Sequence, residues 1–281
     1  MSAPSPANAA QIDYWNAAAG ETWARFQEHL DRQIEGLGTQ AMLALNPQAG
    51  ERVLDIGCGC GQTSVALARQ VGADGAVLGV DISRSMLEIA RSRAGPAGGA
   101  TPEFREIDAQ TGDLGEDAFD AVFSRFGVMF FADPAAAFGN IRKALRAAGR
   151  LSFVCWRPYA DNPWMRLPME AAAPYLPPIA PAEPTAPGPF AFADPERVRG
   201  ILTTAGFRAI DITPFDARIG GGTVDEALNL SFRVGLLGRA LQDNPQCVEA
   251  VTDAVRGVLV AHDTASGVLM PAAVWIVQAR S

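Results

Sequence analysis

A turn of three alternating glycines that follows an aspartate is the part of the sequence best suited to bind a ligand. The stretch VLDIGCGCGQTS, residues 53–64, runs from apolar residues through Asp55 into Gly57, Gly59 and Gly61. Glycine lets the backbone approach a ligand closely, and a following helix N-terminus offers N–H groups and a positive dipole end. The G-x-G-x-G spacing, with glutamine in place of the third glycine of the G-x-G-x-x-G fingerprint, argues against a dinucleotide. The turn therefore predicts a site for another nucleotide-like cofactor.

Two further aspartates, Asp81 and Asp108, end the next two apolar segments. Asp81 lies twenty residues after Gly61, where a carboxylate is placed to bind both ribose hydroxyls of a nucleoside. Each aspartate alone is also explained as a helix cap. Three of them at the ends of three successive strands favour a ligand site, because open α/β sheets bind ligands at that edge. Asp55, which ends a buried strand, needs a cationic ligand or ordered backbone amides as its partner.

Apolar segments that alternate with amphipathic ones predict the elements that position these residues. Five strand-then-helix steps are typical of a doubly wound parallel sheet, and therefore of an α/β fold. The predicted strands lie at 52–57, 76–81, 102–108, 119–126, 150–157, 209–219 and 268–280.

The segment before the first strand, residues 1–45, is predicted to be a Pro/Ala-rich tail followed by a helical lid. Aromatic and aliphatic residues recur at three- and four-residue steps over 11–45, which indicates amphipathic helices. We expect these helices to break near Gly20 or Gly36.

Two insertions are predicted within the main domain, residues 46–281. Residues 158–193 are rich in proline and predict a cap beside the site. Residues 224–261 predict a helical insertion, with helices near 224–241 and 245–261. We expect the large aromatic residues of the proline-rich insertion to be shielded from water: Trp164, Tyr175, Phe190 and Phe192.

The composition argues against several classes of protein. A net charge of −8 and a pI near 4.9, without a run of basic residues, argue against nucleic acid as a partner. The N-terminus lacks the features of a signal peptide, and no apolar run approaches the ~20 residues of a membrane span, so we expect a cytoplasmic protein. No further histidine or cysteine lies near Cys58 and Cys60 in the sequence, so a metal site is not expected. We expect both to be small apolar side chains that pack in the turn of a protein from a reducing compartment.

The ordered motifs of residues 50–157 resemble those of the class I S-adenosylmethionine-dependent methyltransferases. The matching segments are VLDIGCGCG, GVDIS, EIDA and FDAVFSRFGVMFFADP, followed by LRAAGRLSFVCW. These segments are similar to those of the small-molecule branch that includes the ubiquinone and menaquinone methyltransferases. The resemblance implies a Rossmann-like seven-stranded sheet whose last strand is antiparallel. It also implies S-adenosylmethionine as cofactor, S-adenosylhomocysteine as product, and in-line transfer to O, N or C of a small, partly apolar metabolite.

The resemblance also implies a set of cofactor-binding residues. The glycine turn and Asp55 would lie near the methionine part, Asp81 at the ribose, and backbone at Ser124 or Arg125 near the methionyl amine. The residues implied for the adenine are Ile82 and Met86 on its faces and Asp108 and Ala109 at its edge.

On the acceptor side, His29 and Tyr14 are the candidate catalytic residues. His29 is a candidate base on the aromatic lid, although an ordinary surface histidine explains it as well. Tyr14 either orients the acceptor or packs the lid. The candidate substrate pocket comprises Trp23, Arg125, Phe126, Met129 and Trp164, with Trp15 beside them, whereas we expect Phe130 and Trp156 to be plain core.

Two other functions stay open at this point. One is an NAD(P)-dependent oxidoreductase, against which the glutamine in the turn argues. The other is a non-catalytic protein that binds S-adenosylmethionine, because the motifs imply binding but do not prove transfer. The sequence also leaves a homodimer open, since the helices of 224–261 suit either a cover for the acceptor site or a dimer face.

Overall fold

The computed structural model describes residues 8–93, 95–178 and 183–281, and within them a single sheet carries the glycine turn and all three aspartates. Its eight strands are β1 (Arg52–Ile56), β2 (Ala76–Asp81), β3 (Glu103–Glu106), β4 (Phe119–Arg125), β5 (Leu145–Trp156), β6 (Arg208–Gly220), β7 (Asp263–Thr264) and β8 (Gly267–Arg280).

The main path of the sheet runs in the order β3-β2-β1-β4-β5-β8-β6. The first five of these strands are parallel, and β8 is antiparallel to both β5 and β6. The doubly wound, seven-stranded arrangement with an antiparallel last strand is therefore confirmed, and the two-residue β7 adds only a short pairing to β8. Pro271 lies in the part of β8 that extends beyond its pairing with β5. The N–H that proline lacks is therefore not needed for a hydrogen bond to β5.

Helices flank both faces of this sheet. Those of the described residues are α1 (Ala9–Trp15), α2 (Ala18–Arg25), α3 (Gln27–Leu45), α4 (Gln62–Val71), α5 (Arg84–Ser92), α6 (Pro134–Ala144), α7 (Pro163–Ala172), α8 (Pro195–Thr204), α9 (Val224–Ser231), α10 (Gly235–Asp243) and α11 (Val248–Val260).

The helix break predicted near Gly36 is wrong, because Gly36 lies inside α3, and the break predicted near Gly20 lies a few residues before it, since Gly20 is itself inside α2. The chain breaks after Trp15 and after Arg25 instead. A Cβ on Gly20 would lie 2.6 Å from the Ser83 hydroxyl, so this glycine permits close packing of α2 on the start of α5. The second half of α3 is part of the main core, since Leu37, Ala41 and Leu45 are buried.

The two insertions pack together into a second apolar core beyond the main sheet. Helices α7, α9, α10 and α11 and the start of β8 share this cluster. The predicted helix over 224–241 is two helices, because the chain is extended at Val234 before Gly235 begins α10. Trp164 and Phe190 are half-buried and Phe192 is buried, but the expectation for Tyr175 is wrong, since it is 47% exposed. Residues 179–182 of the proline-rich insertion lie outside the described residues.

Candidate active site

A cavity of about 330 Å³ lies where the carboxyl ends of the parallel strands meet the N-terminal helices and both insertions. It brings together most of the site residues predicted from the sequence. Those that line it are Tyr14, Trp23, His29, Gly57, Gly59, Asp81, Ile82, Met86, Asp108, Ala109, Arg125, Phe126, Met129 and Trp164.

The glycine turn forms the floor of the cavity and is fixed by β2. The N–H of Gly57 donates to the Val80 carbonyl at 2.8 Å, and the N–H of Gly59 donates to Asp81 Oδ2 at 2.8 Å. Gly57 has a φ of +64°, and a Cβ there would lie 2.8 Å from the Gly127 Cα. Glycine is required at position 57 both by the positive φ and by the close approach of the Gly127 backbone. The turn is therefore held by the sheet itself.

Asp81 presents a carboxylate to the cavity from the end of β2. Its Oδ1 accepts from the Ser83 N–H at 2.9 Å and its Oδ2 from Gly59. Burial raises the pKa of Asp81, and these backbone hydrogen bonds oppose the rise. An ionised carboxylate has about four lone-pair sites, so Asp81 keeps acceptor capacity for two hydroxyl groups of a ligand.

Three residues predicted to bind the cofactor do not line the cavity: Asp55, Gly61 and Ser124. Gly61 makes room for the Phe104 ring, which would lie 2.8 Å from a Cβ. The Ser124 hydroxyl is buried and without a partner among the described residues. These residues support the wall of the cavity from behind.

Asp55 is fully buried under the turn. Its Oδ2 accepts from the hydroxyls of Thr63 at 2.7 Å and Ser64 at 2.6 Å, and its Oδ1 has no partner among the described residues. The sequence predicted a cationic ligand or backbone amides as the partner of Asp55, whereas the observed partners are side-chain hydroxyls of α4. Burial raises the pKa of Asp55 to about 6, although both hydroxyls lower it.

Asp108 joins the cavity to the N-terminal segment. Its Oδ1 accepts from the Gln110 N–H at 2.9 Å and from Asn8 Nδ2 at 2.9 Å. The sequence analysis missed Asn8, which lies 100 residues away along the chain. The sequence around Asn8 suggests only a helix N-cap, because asparagine is favoured directly before a helix. In the structure, however, the Asn8 side chain makes no N-cap hydrogen bond.

Arg125 is held in an ionic cluster rather than left free for an acceptor. Its guanidinium pairs with Asp31 of α3 at 2.9 Å, and the same carboxylate pairs with Arg93 at 2.7 Å. Arg125 also donates to Gln62, the glutamine that breaks the dinucleotide fingerprint. A Cβ on Gly38 would lie 2.7 Å from Arg125 Cδ, so this glycine admits the arginine beside α3. The cluster fastens α3 over the glycine turn.

Most of the remaining cavity wall is apolar and aromatic. The rings of Phe126 and Trp156 are stacked with centroids 4.2 Å apart, and Trp164 lies 4.9 Å from Trp156. Phe130 and Trp156 were expected to be plain core; both belong to the main core or pack against it, and both also line the cavity. Residues of the two insertions and of β8 complete this wall and were not predicted: Met165, Pro168, Leu230, Val234, Leu236, Leu237, Val268 and Met270.

The two candidate catalytic residues both lie on the lid and line the cavity. His29 is half-buried, and burial together with the positive charge of Arg32 lowers its pKa, while Glu226 acts in the opposite direction. The imidazole is therefore neutral near pH 7 and able to accept a proton. Tyr14 is 42% exposed, and its ring contacts Trp15 edge-on at 5.2 Å.

Other kinds of site are not evident in the residues that the structure describes. No group of three or more His, Cys, Asp or Glu side chains there is arranged to hold a metal ion. Cys58 and Cys60 are buried in the turn, and burial raises the pKa of Cys60 to about 12. Over the same residues, no helix is both long and apolar enough to cross a membrane.

Comparison with known proteins finds methyltransferases by sequence. A family described as a methyltransferase domain matches residues 53–149. Demethylmenaquinone methyltransferase from Clavibacter sepedonicus is 33% identical over 178 residues, which cover 60% of this chain and 70% of that protein. Aklanonic acid methyltransferase DauC from a Streptomyces strain is 35% identical over 117 residues, 42% of this chain and 53% of that protein. The chain thus spans about half the length of DauC.

A solved structure shares the fold over nearly the whole chain. It is a phosphoethanolamine N-methyltransferase from Haemonchus contortus, in complex with phosphomonomethylethanolamine and S-adenosylhomocysteine. The TM-score is 0.59 at 18% sequence identity, and the match covers 99% of this chain and 60% of that one. At this level of identity the likeness concerns the fold alone.

Proposed function

We propose that this chain, which belongs to the class I S-adenosylmethionine-dependent methyltransferase family, transfers the cofactor's methyl group to a small, partly apolar organic molecule. One observation carries the proposal. The carboxylate of Asp81 and the turn at Gly59 are hydrogen-bonded to each other in the same cavity that Phe126 and Trp156 line with aromatic rings. A nucleoside site and an apolar pocket therefore adjoin.

The residues of the cavity fit S-adenosylmethionine. Asp81 has acceptor capacity for both ribose hydroxyls, and Ile82 and Met86 offer apolar contacts to the adenine faces. Carboxylates on this side, with Asp55 buried below the turn, suit a ligand that carries a cationic sulfur and an ammonium group. When bound, the cofactor supplies a methyl group that is already electrophilic, so transfer needs mainly proximity and alignment.

The chain's own residues position the acceptor. The stacked rings of Phe126 and Trp156 and the wall from the insertions exclude water and favour a flat, largely apolar molecule. Neutral His29 accepts the proton of an acceptor O–H, N–H or activated C–H, and Tyr14 orients the acceptor from the lid. Arg125 acts indirectly, since its pairing with Asp31 holds α3 over the site.

The acceptor class also follows from charge. The net charge of −8 disfavours nucleic acid as the acceptor, and we infer a small-molecule partner. The oxidoreductase alternative is not favoured, because the relatives named above are methyltransferases. A homodimer and a cytoplasmic location stay predictions.

Calorimetric titration tests the cofactor assignment. We expect the unaltered protein and the surface control Asp74→Ala to bind S-adenosylmethionine, Asp81→Ala to bind it at least tenfold more weakly, and none of them to bind NADH. Circular dichroism checks that both variants fold. Binding of NADH without S-adenosylmethionine would refute the proposal.

Transfer itself is a separate measurement. The protein is incubated with methyl-labelled S-adenosylmethionine and a set of aromatic acceptors with hydroxyl, amino or acidic carbon positions. Label in any acceptor supports the enzyme. Tight cofactor binding with no transfer across the set supports the non-catalytic alternative instead.

A further inference from the structure

The side-chain amide of Asn8 is buried at the cofactor end of the cavity. Only one end of this amide has a hydrogen-bond partner among the described residues. The residue is 3% exposed and lines the cavity. Its Nδ2 donates to Asp108 Oδ1 at 2.9 Å. An ionised carboxylate only accepts hydrogen bonds, so this contact fixes which end of the amide faces Asp108. The other end, Oδ1, has no hydrogen-bond donor among the described residues.

A buried carbonyl oxygen without a donor is unfavourable, and on a residue that lines a binding cavity such an atom is a candidate acceptor for a donor on the ligand. Asp108 cannot serve, because a carboxylate accepts hydrogen bonds rather than donating them, and its Oδ1 already accepts from Asn8 and from the Gln110 N–H. The missing partner is therefore an N–H or O–H group beside Asp108.

The lid holds Asn8 firmly in this place. Asn16, the residue directly after α1, donates to the Ile82 carbonyl at 2.8 Å and accepts from the Arg84 N–H at 3.0 Å. The Trp15 ring lies edge-on to Phe130 at 5.1 Å. The N-terminal helices are thus docked on the same segment, after β2, that supplies the apolar contacts predicted for the adenine.

We propose that Asn8 recognises the adenine base: its Oδ1 accepts a hydrogen bond from the exocyclic 6-amino group. The inference rests on the proposed function for the identity of the cofactor. It adds a binding residue that lies outside residues 53–149, the part matched by the family. The lid then does more than cover the site, because it completes the selection of a 6-aminopurine. A 6-oxopurine would turn an acceptor toward the Asn8 oxygen and be disfavoured.

The test compares two ligands that differ at this position, S-adenosylhomocysteine and S-inosylhomocysteine, by calorimetry. We expect the unaltered protein to prefer the adenosyl ligand at least tenfold. Asn8→Leu, which is close in shape but lacks the amide, should weaken binding of the adenosyl ligand about tenfold and the inosyl ligand less than twofold. Asn8→Ala, which adds no bulk, should give the same change in the ratio of affinities.

The matched control is Asp74→Ala at an exposed position, which should leave both affinities and their ratio unchanged. An unchanged ratio in both Asn8 variants would overturn the inference and reduce Asn8 to a docking contact. Failure of the unaltered protein to bind S-adenosylhomocysteine would overturn the proposed function, and this inference with it.

Discussion

Replacing the buried carboxylate under the glycine turn should make the protein more stable and its cofactor site weaker. Asp55 is fully buried, and burial raises its pKa from the ordinary 3.8 to about 6. Each tenfold change in proton affinity is worth about 1.4 kcal/mol, so the charged form costs the folded state about 3 kcal/mol relative to the unfolded chain. In Asp55→Asn the amide oxygen still accepts from the Thr63 and Ser64 hydroxyls, and the charge is gone.

The sign follows from linkage. Because the folded-state pKa of Asp55 is raised, the folded state binds the extra proton between about pH 4 and 6. Its contribution to stability is fully present below that window and is lost as the pH rises through 6. We therefore expect Asp55→Asn to exceed the unaltered protein in free energy of unfolding by about 1–3 kcal/mol at pH 8, with the unpaired amide N–H groups offsetting part of the gain. The difference should shrink at pH 5.5.

Urea unfolding at pH 5.5, 7 and 8.5 measures this difference, and Asp120→Asn is a control of opposite sign. Asp120 accepts from the Arg52 N–H and pairs with Arg146, and these partners hold its pKa below the ordinary value. Its replacement should therefore cost stability at neutral pH. A less stable Asp55→Asn, or a gain that does not depend on pH, would refute the reasoning. Weaker binding of S-adenosylmethionine to Asp55→Asn should accompany the gain, because the buried charge attracts the cationic cofactor.

Four other substitutions have defined outcomes. Gly57→Ala places a Cβ 2.8 Å from the Gly127 backbone and should unfold more easily by several kcal/mol. In Gly59→Ala the Cβ would meet only Met86 Sδ, at an ordinary contact distance of 3.7 Å, and the change should cost only about 1–2 kcal/mol of left-handed strain. Thermal melts compare the two variants. Arg125→Met leaves a carboxylate of α3 with one partner fewer and should lower Tm by about 4–8 °C, from ~2 kcal/mol. His29→Gln should lower kcat by about 100-fold while cofactor affinity in calorimetry stays unchanged; equal activity would remove His29 as the base.

The cofactor half of the site could be predicted because its signals are local. Asp55 and the glycine turn lie within a few residues of a strand end, and Asp81 ends the next strand. The order of parallel strands then brings separate strand ends to one edge. Even so, the sequence did not distinguish residues that face the ligand from residues that support them. Asp55 and Ser124 are buried behind the wall because strand residues alternate between the two faces of a sheet.

The polar contacts of the lid could not be predicted, since they join residues far apart in the chain. Asn8 meets Asp108 across 100 positions and Asp31 meets Arg125 across 94. None of these residues stands out in its own segment. Such pairs depend on how α1 and α3 dock, which hydrophobic periodicity does not determine.

The residues that the two insertions and β8 add to the acceptor wall were missed for a different reason. Its apolar residues come from α7, α9, α10 and β8, and these elements share a core of their own around Val251 and Val255 of α11. Substitutions there change the pocket without disturbing the strands that hold the turn at Gly57. The N-terminal helices contact both halves, through Asn8 at the cofactor end and His29 on the acceptor side. If the proposed function holds, the lid borders both ligands, and we expect the geometry of transfer to depend on its docking as well as on the motifs of the sheet.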